Sequence, residues 1–392
     1  MQPLIDVLIP AYNAGWSLPE TLASIQAQTV RNIRVIVVDD GSTDNTAAVL
    51  AAAAALDTRI HVITQANGGI VAALNAGLAA CTAPLIARHD ADDLSDPDRF
   101  ERQMRYLDGN PDCVAVAGAA RHINQAGRDL GTRTRLRDPA LANPFSIPAT
   151  EPYLLQPMLM VRTESFHAAG GYRPLLISED TDLYWRLQKF GRLHNLTEPL
   201  GEYRMHEGSI TSQSIVTGRQ GAFCAQLAAV SAQRRARSEP DIVFDLPLFN
   251  AIKQAKTLAQ LYEIGCQHLI PVEQNWLALS VSAKLVELCF YRPFEPSADD
   301  CCFIRAALKT HSGIMTPNNR AVLRESLVGT SVRLALKGLI VQALLLAFPK
   351  LMPMVMLRMA FRVILPNALR DWIKKSVGRG NPAAPPIIPA SL

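Results

Sequence analysis

Four short apolar runs, each closing on polar or acidic residues and each followed by a helix-like stretch, dominate the first 93 residues. Residues 4–9 stop at Pro10, residues 33–38 at Asp39-Asp40-Gly41, and residues 60–64 at a glycine-containing loop. Residues 85–87 run into Arg88-His89-Asp90-Ala91-Asp92-Asp93. Apolar runs this short, bounded by turn residues, read as buried strands. Between them, residues 17–28, an alanine-rich stretch ending at 56, and residues 69–81 read as helices. Ser17 would cap the first, with Pro19 in its opening turn, and Thr43 or Asp44 would cap the second. Strands alternating with helices predict a mostly parallel sheet covered by helices on both faces. In such sheets ligands bind at the carboxyl ends of the strands.

The alternation loosens after Asp98. A helix over 98–107, a strand over 114–116 and a hairpin within 121–137 are expected, then a strand over 157–161. A helix over 178–190 and two short strands, 193–195 and 201–204, follow. From about residue 220 the pattern is mainly helical. The expected division is a catalytic domain over 1–215, a helical region over 216–337, apolar and basic helices over 338–377, and a disordered tail over 378–392.

With 49% hydrophobic and 19% charged residues among 392, the chain is globular in composition. Seven scattered cysteines without a CxxC pair imply reduced thiols in a cytosolic protein rather than a zinc site. The opening Met1-Gln2-Pro3-Leu4 carries no basic segment, so no signal peptide is expected. The net charge of +4 is uneven. From Ser331 onward nine Lys/Arg face one acid, Asp371, which leaves the first 330 residues at −4.

Three carboxylates within four positions, at Asp90, Asp92 and Asp93, allow two readings. One is a site for a hard divalent cation, because carboxylates so close repel one another without one. The other is an acidic N-cap for the following helix, which Asp92, Asp93 or Ser95 would supply. Pro10-Ala11-Tyr12-Asn13 and Asp39-Asp40-Gly41-Ser42 end neighbouring strands. Tyr12 could stack on a base and a carboxylate could accept a uracil imide N–H, although Asp-Asp-Gly-Ser also reads as a turn with a cap. Asn67-Gly68-Gly69 opens a helix that contains Asn75 and Gly77, where either phosphate binding or close helix-to-sheet packing fits. Glu179-Asp180 opens the helix over 178–190, as a favourable dipole arrangement or as a general base facing a cleft. Asp182 and Arg186, at i and i+4, should form a surface or half-buried ion pair. No GxGxxG or GxxxxGK[ST] occurs, which argues against a dinucleotide oxidoreductase and a P-loop enzyme.

In this order the pieces resemble the family 2 glycosyltransferases of GT-A fold. The resemblance rests on VLIPAYNAG (7–15), IVVDDGSTDNT (36–46), QANGGIVAALNAGLAAC (65–81) and PLIARHDADDLSDPDRFERQ (84–103). It continues through GGYRP (170–174), SEDTDLYWRLQKFG (178–191) and EYRMHEGSIT (202–211). It implies a Rossmann-like mixed sheet, and inverting transfer from a nucleotide-diphosphate sugar, most simply a UDP-sugar, with Mg²⁺ or Mn²⁺. The acceptor would be a glycan or lipid-linked hydroxyl in cell-surface polysaccharide biosynthesis; no nucleic-acid partner is implied. Residue by residue, Pro10, Tyr12, Asp39 and Asp40 would line the nucleoside pocket, with Asn67 near the donor and Arg88 either on a phosphate of the donor or in a structural ion pair. Asp90-Ala91-Asp92 matches the DxD motif, with Asp92 on the metal and Asp90 on the ribose or a metal water. Asp93 would cap the helix behind them. Asp180 would be the base, supported by Glu179. His206 would lie by the metal, and Arg204 would help neutralise the diphosphate. His89 stands where the family usually carries an apolar residue, as a packed neutral imidazole or a second metal ligand.

The apolar run over 338–348 is too short to span a bilayer. Arg358 and Arg362 then fall on one face of the next helix. An in-plane interfacial helix on the cytoplasmic face of a membrane fits, as does a helical hairpin packed on the catalytic domain. The competing functions are a sugar-phosphate nucleotidyltransferase, which usually has a basic glycine-rich N-terminal loop absent here, and a non-catalytic sugar-binding protein, which would have lost DxD or ED acids.

Overall fold

The computed structural model describes residues 2–206, 214–292, 294–347 and 349–364. It divides into two compact units, one of Met1–Pro144, Thr150–His206 and Arg234–Phe249, the other of Phe145–Ala149, Glu207–Gln233 and Asn250–Leu392. The expected tail over 378–392 lies outside the described residues.

The first unit carries β1 (Ile5–Ala11), α1 (Leu18–Gln26), β2 (Ile33–Asp39), α2 (Thr46–Leu56), β3 (Ile60–Thr64), α3 (Ile70–Ala80) and β4 (Leu85–Arg88). Next come β5 (Leu94–Ser95), α4 (Arg99–Gly109), β6 (Cys113–Asn124), β7 (Asp129–Arg133), β8 (Met160–Arg162), α5 (Thr163–Ala168), α6 (Glu179–Leu187) and β9 (Arg192–Met205). The sheet order is β3-β2-β1-β4-β8-β6-β9-β5, with β7 on β6. Strands β1 to β4 are mutually parallel, and β8 runs antiparallel between β4 and β6.

Side-chain alternation along β1 explains the two helical layers. Ile5, Val7 and Ile9 pack with Leu18, Leu22, Leu50 and Phe100 of α1, α2 and α4. Leu8, together with Ile36, Val38 and Ile86, packs on the other side with Leu74, Leu78, Phe166 and Leu183 of α3, α5 and α6. Each such side chain contributes about 1.5–3 kcal/mol when fully buried. Gly77 lets α3 lie close, since a Cβ there would stand 2.2 Å from Leu8 Cδ1 and 2.9 Å from Val38 Cγ2. Packing is therefore the reason for that glycine. Gly77→Ala should lower stability by about 1–3 kcal/mol through overpacking, read as a lower Tm.

Three local expectations need correction. β1 runs through Pro10 to Ala11, because β4 pairing ends at Leu8↔Arg88 and the missing N–H interrupts no ladder there. The two short strands expected near 193 and 201 are one strand, β9, whose pairing with β6 shifts register between Gly118 and Arg121. Asp182 and Arg186 pair at 2.8 Å inside the unit rather than at its surface, with Asp182 fully buried.

The second unit is helical in its described residues: most of α7 (Ile215–Ala236) and of α8 (Leu246–Gln254), then α9 (Leu258–Cys266), α10 (Pro271–Tyr291), α11 (Ala298–His311), α12 (Pro317–Leu336), α13 (Ile340–Ala347) and α14 (Met352–Ile364). Arg219 grips Asp300 with two bonds of 2.8 Å, at the capping box that starts α11. Val355 of α14 packs with Val328 and Val332 of α12 and Ala347 of α13.

Candidate active site

The loops after β1 and β2 are tied together by short polar bonds. Asn13 N–H donates to Ser42 Oγ (2.9 Å), and Asn13 Oδ1 accepts from Thr43 N–H (2.8 Å). Ala14 N–H reaches Thr46 Oγ1 (2.9 Å), while Asp39 accepts from Ser42 N–H (3.0 Å). Pro10 and Asp39 are buried beneath this rim, and Tyr12 is 52% exposed above it. Asp40 is buried and turned toward its own chain. Its Oδ1 accepts from Gln65 Nε2 (2.7 Å) and Gly68 N–H (2.9 Å), and its Oδ2 from Gly69 N–H (2.8 Å). Asn67 Nδ2 donates to the Asp40 carbonyl at 3.1 Å. The amides that open α3 therefore hold a protein carboxylate, which corrects the phosphate reading of Asn67-Gly68-Gly69. Gly41, at φ 72°, admits this loop, since a Cβ would stand 2.7 Å from Asn67 N.

Beyond β4, one carboxylate oxygen from each of Asp90, Asp92 and Asp93 lies within 4.8 Å of the others. Burial, then the Asp90 charge, pushes the Asp92 carboxyl up, and Asp93 is pushed well up by the same two causes and by Asp92. Asp93 Oδ1 accepts from Arg204 N–H (2.8 Å), and its buried Oδ2 has no partner among the described residues. Asp93 therefore anchors β9 and caps no helix; Asp98 precedes α4, which corrects the capping reading. His206 Nε2 lies 2.8 Å from Asp92 Oδ2, with its ring edge-on to Trp16 at 5.6 Å. Arg88 is buried and ion-paired to Asp90. His89 is fully buried, with Nδ1 2.6 Å from the Asp90 carbonyl and Nε2 2.9 Å from Ser95 Oγ. Burial and the adjacent Arg99 push its imidazolium down to about 3, so the ring is neutral and both nitrogens serve the loop.

Arg204 departs from expectation. Its Nε donates to the Asp92 carbonyl (2.8 Å), Nη1 to the Gln125 carbonyl (2.8 Å) and Nη2 to Glu20 (2.7 Å), and it is buried. It clamps the acidic loop to β9 rather than offering its guanidinium to a diphosphate. Other anchors carry no sequence signal, because their partners are distant in the chain. Ser17 and Thr21 hydroxyls both donate to the Ala91 carbonyl, at 2.9 and 3.0 Å, and Thr21 also to that of Asp93 at 2.9 Å. Ser17, the predicted cap, makes no side-chain cap bond on α1. Arg99, fully buried, donates to the Arg88 carbonyl at 2.8 Å.

Glu179 and Asp180 open α6 after Ser178, whose φ of 67° is strained for a residue with a Cβ. Asn75 of α3 holds the preceding segment by a reciprocal pair with Tyr172, Nδ2 to the carbonyl at 2.8 Å and N–H to Oδ1 at 2.9 Å. Burial, then the Asp180 charge, pushes Glu179 up to about 8. Half-buried Asp180 is also raised, mainly by burial, although Thr181 N–H donates to it at 2.7 Å. Arg88 lies within electrostatic reach of Asp90 and of both these acids, which joins the two acidic motifs through one buried cation.

The raised Glu179 value has a stability consequence. The unfolded chain loses this proton near 4.5 and the folded one near 8, so folding stability falls as pH rises between those values. Glu179→Gln should flatten that fall and raise Tm at pH 8–9 relative to wild type, as calorimetry across pH will show.

Comparison with known proteins gives the family. The model of the family described as Glycosyl transferase family 2 matches residues 6–170. An "Uncharacterized glycosyltransferase" of Haemophilus influenzae is 30% identical over 219 residues, 54% of this chain and 68% of that protein. The chain belongs to glycosyltransferase family 2. The "Amylovoran biosynthesis glycosyltransferase AmsE" of Erwinia amylovora is 29% identical over 211 residues, 51% of this chain and 76% of that one. In fold, this glycosyltransferase is similar to residues 1–349 of S. aureus TarS, solved in complex with UDP-GlcNAc. The TM-score is 0.50 at 18% identity, covering 81% of this chain and 93% of that one. The protein is thus an enzyme of the transferase class, and the nucleotidyltransferase and non-catalytic alternatives fall away.

Proposed function

We propose that this family 2 enzyme transfers a sugar from a nucleotide-diphosphate sugar to an acceptor hydroxyl, with inversion at the anomeric carbon. The observation that carries the reading is the three-carboxylate cluster beyond β4, electrostatically linked through Arg88 to Asp180. The donor set fits a hard divalent cation: three oxygens converge, and buried Asp93 Oδ2 lacks a partner among the described residues. Asp90 and Asp92 would hold Mg²⁺ or Mn²⁺, with His206 steadying Asp92 through its 2.8 Å contact. When bound, such an ion offsets charge developing on the departing diphosphate.

The rest of the work falls to the chain. Exposed Tyr12 offers a stacking face for the base, and Pro10 and Asp39 complete the nucleoside pocket. Asp40 Oδ2, which accepts one bond from Gly69, keeps acceptor capacity for a base imide N–H such as that of uracil, and a UDP-sugar is the donor the family resemblance points to. Arg88 holds Asp90 in place, and Asn67 shapes the loop beside Asp40. Asp180 takes the proton of the attacking hydroxyl from the face opposite the leaving group, and Glu179 stays protonated beside it at neutral pH. The likeness to a relative named for amylovoran biosynthesis supports a role in glycan biosynthesis; a glycan or lipid-linked acceptor in cell-surface polysaccharide assembly, with the enzyme on the cytoplasmic side, completes the proposal. Slow hydrolysis of UDP-, GDP- and dTDP-sugars with Mn²⁺ tests the donor. The UDP-sugar should turn over fastest; no metal-dependent turnover of any donor overturns the reading.

A further inference from the structure

Helix α14 is apolar on the side that should be polar. Among its residues up to 361, the exposed ones are Pro353, Met356, Leu357, Ala360 and Phe361, an i, i+3, i+4, i+7, i+8 stripe. Met356 and Leu357 are 65% and 72% exposed. The opposite side is also apolar, with Val355 packed on α12 and α13. Arg358 is paired with Glu325 of α12. Helix α13 repeats the arrangement: Ala343, Leu346 and Ala347 are buried, while Ile340, Val341 and Leu344 are exposed. A surface helix of a globular protein turns charged and polar residues outward. An outward apolar stripe on two successive helices marks a contact with something apolar.

The charge around the stripes selects the occupant. No Asp or Glu occurs between Glu325 and Asp371, whereas Arg333, Lys337, Lys350, Arg358, Arg362 and Arg370 do; of these, Arg333 and Lys337 pair with Glu295 and Arg358 with Glu325. Lys350 stands exposed between the two helices. A second copy docked on the same face would set like charge against like. Residues 365–392 carry a net positive charge of their own, so they complement the face no better. An anionic lipid surface supplies both an apolar interior and the opposite charge. No helix among the described residues is long and apolar enough to cross a membrane, which leaves in-plane contact.

We propose that the outward faces of α13 and α14 dock the enzyme in the plane of an anionic bilayer, with Met356, Leu357 and Phe361 entering the acyl boundary and Lys350 meeting the headgroups. The test is flotation of the full-length protein with vesicles of phosphatidylcholine containing about 30 mol% phosphatidylglycerol, compared with phosphatidylcholine alone. Wild type should float with the anionic vesicles and release as NaCl is raised. Met356→Glu/Leu357→Glu should lose at least about tenfold in partition, with unchanged Tm and unchanged size by light scattering. Lys350→Glu, which leaves the stripe intact, should weaken anionic partition by about threefold or more. The proposal is overturned if wild type ignores anionic vesicles, if it binds neutral ones equally, or if the double variant still floats. A double variant that turns a dimer into a monomer assigns the stripe to a second copy instead. One that loses Tm assigns it to packing within the chain. Partition needs no turnover, so the outcome is independent of whether the proposed transfer reaction is correct.

Discussion

Asp180→Asn is expected to cut sugar transfer by about 10²–10⁴-fold while donor affinity stays within about twofold of wild type. The amide keeps the shape and can still accept from Thr181 N–H, the 2.7 Å contact that orients the side chain. What it loses is the ability to take a proton. Burial raises the Asp180 carboxyl while Thr181 and Arg88 lower it, so a proton is held there more tightly than on a free carboxylate. Glu179→Gln is the contrasting variant, because a group that stays protonated at neutral pH should tolerate the amide far better. Single-turnover transfer, with donor binding measured by calorimetry, separates the two. Near wild-type transfer by Asp180→Asn would remove Asp180 from the role of base.

Asp92→Ala should abolish Mn²⁺-dependent tightening of donor binding and lower transfer by about 10³-fold, the several kcal/mol that a cation contributes at a diphosphate. Binding without metal should hardly change. The same substitution should leave the metal-free protein no less stable than wild type, since Asp92 is held up by burial and by the Asp90 charge. Removing its charge relieves Asp93, whose carboxyl Asp92 helps to push up. Calorimetry with and without Mn²⁺, alongside Tm in chelator, reads both effects. Equal metal dependence in wild type and variant would place the cation elsewhere.

Much of this site was legible before any coordinates, because its parts are local. A short apolar run followed by carboxylates marks a strand end, and β1, β2 and β4 end within three residues of where the apolar runs do. Their parallel order follows from the intervening helices, so Asp39, Asp40 and Asp90 had to share one rim. The helix over 178–190 was equally visible, although α6 closes earlier, at Leu187. Misreadings arose where a side chain's partner is distant in sequence. Ser17 looked like a cap, yet its hydroxyl holds Ala91, 74 positions away. Arg204 looked like a phosphate ligand, yet it reaches Glu20 across 184 positions.

The sequence by itself therefore determined the alternating architecture, the placement of carboxylates at strand ends and the family, since these depend on periodicity and on motif order along the chain. Only the tertiary structure decided what those side chains face. It turned Asp40 onto the amides that open α3, Asp93 onto the backbone of β9, and the apolar stripe of α14 outward. The physical reason is that a polar group taken out of water must find a partner wherever the fold brings one. Spacing within one segment carries no information about which distant segment supplies it.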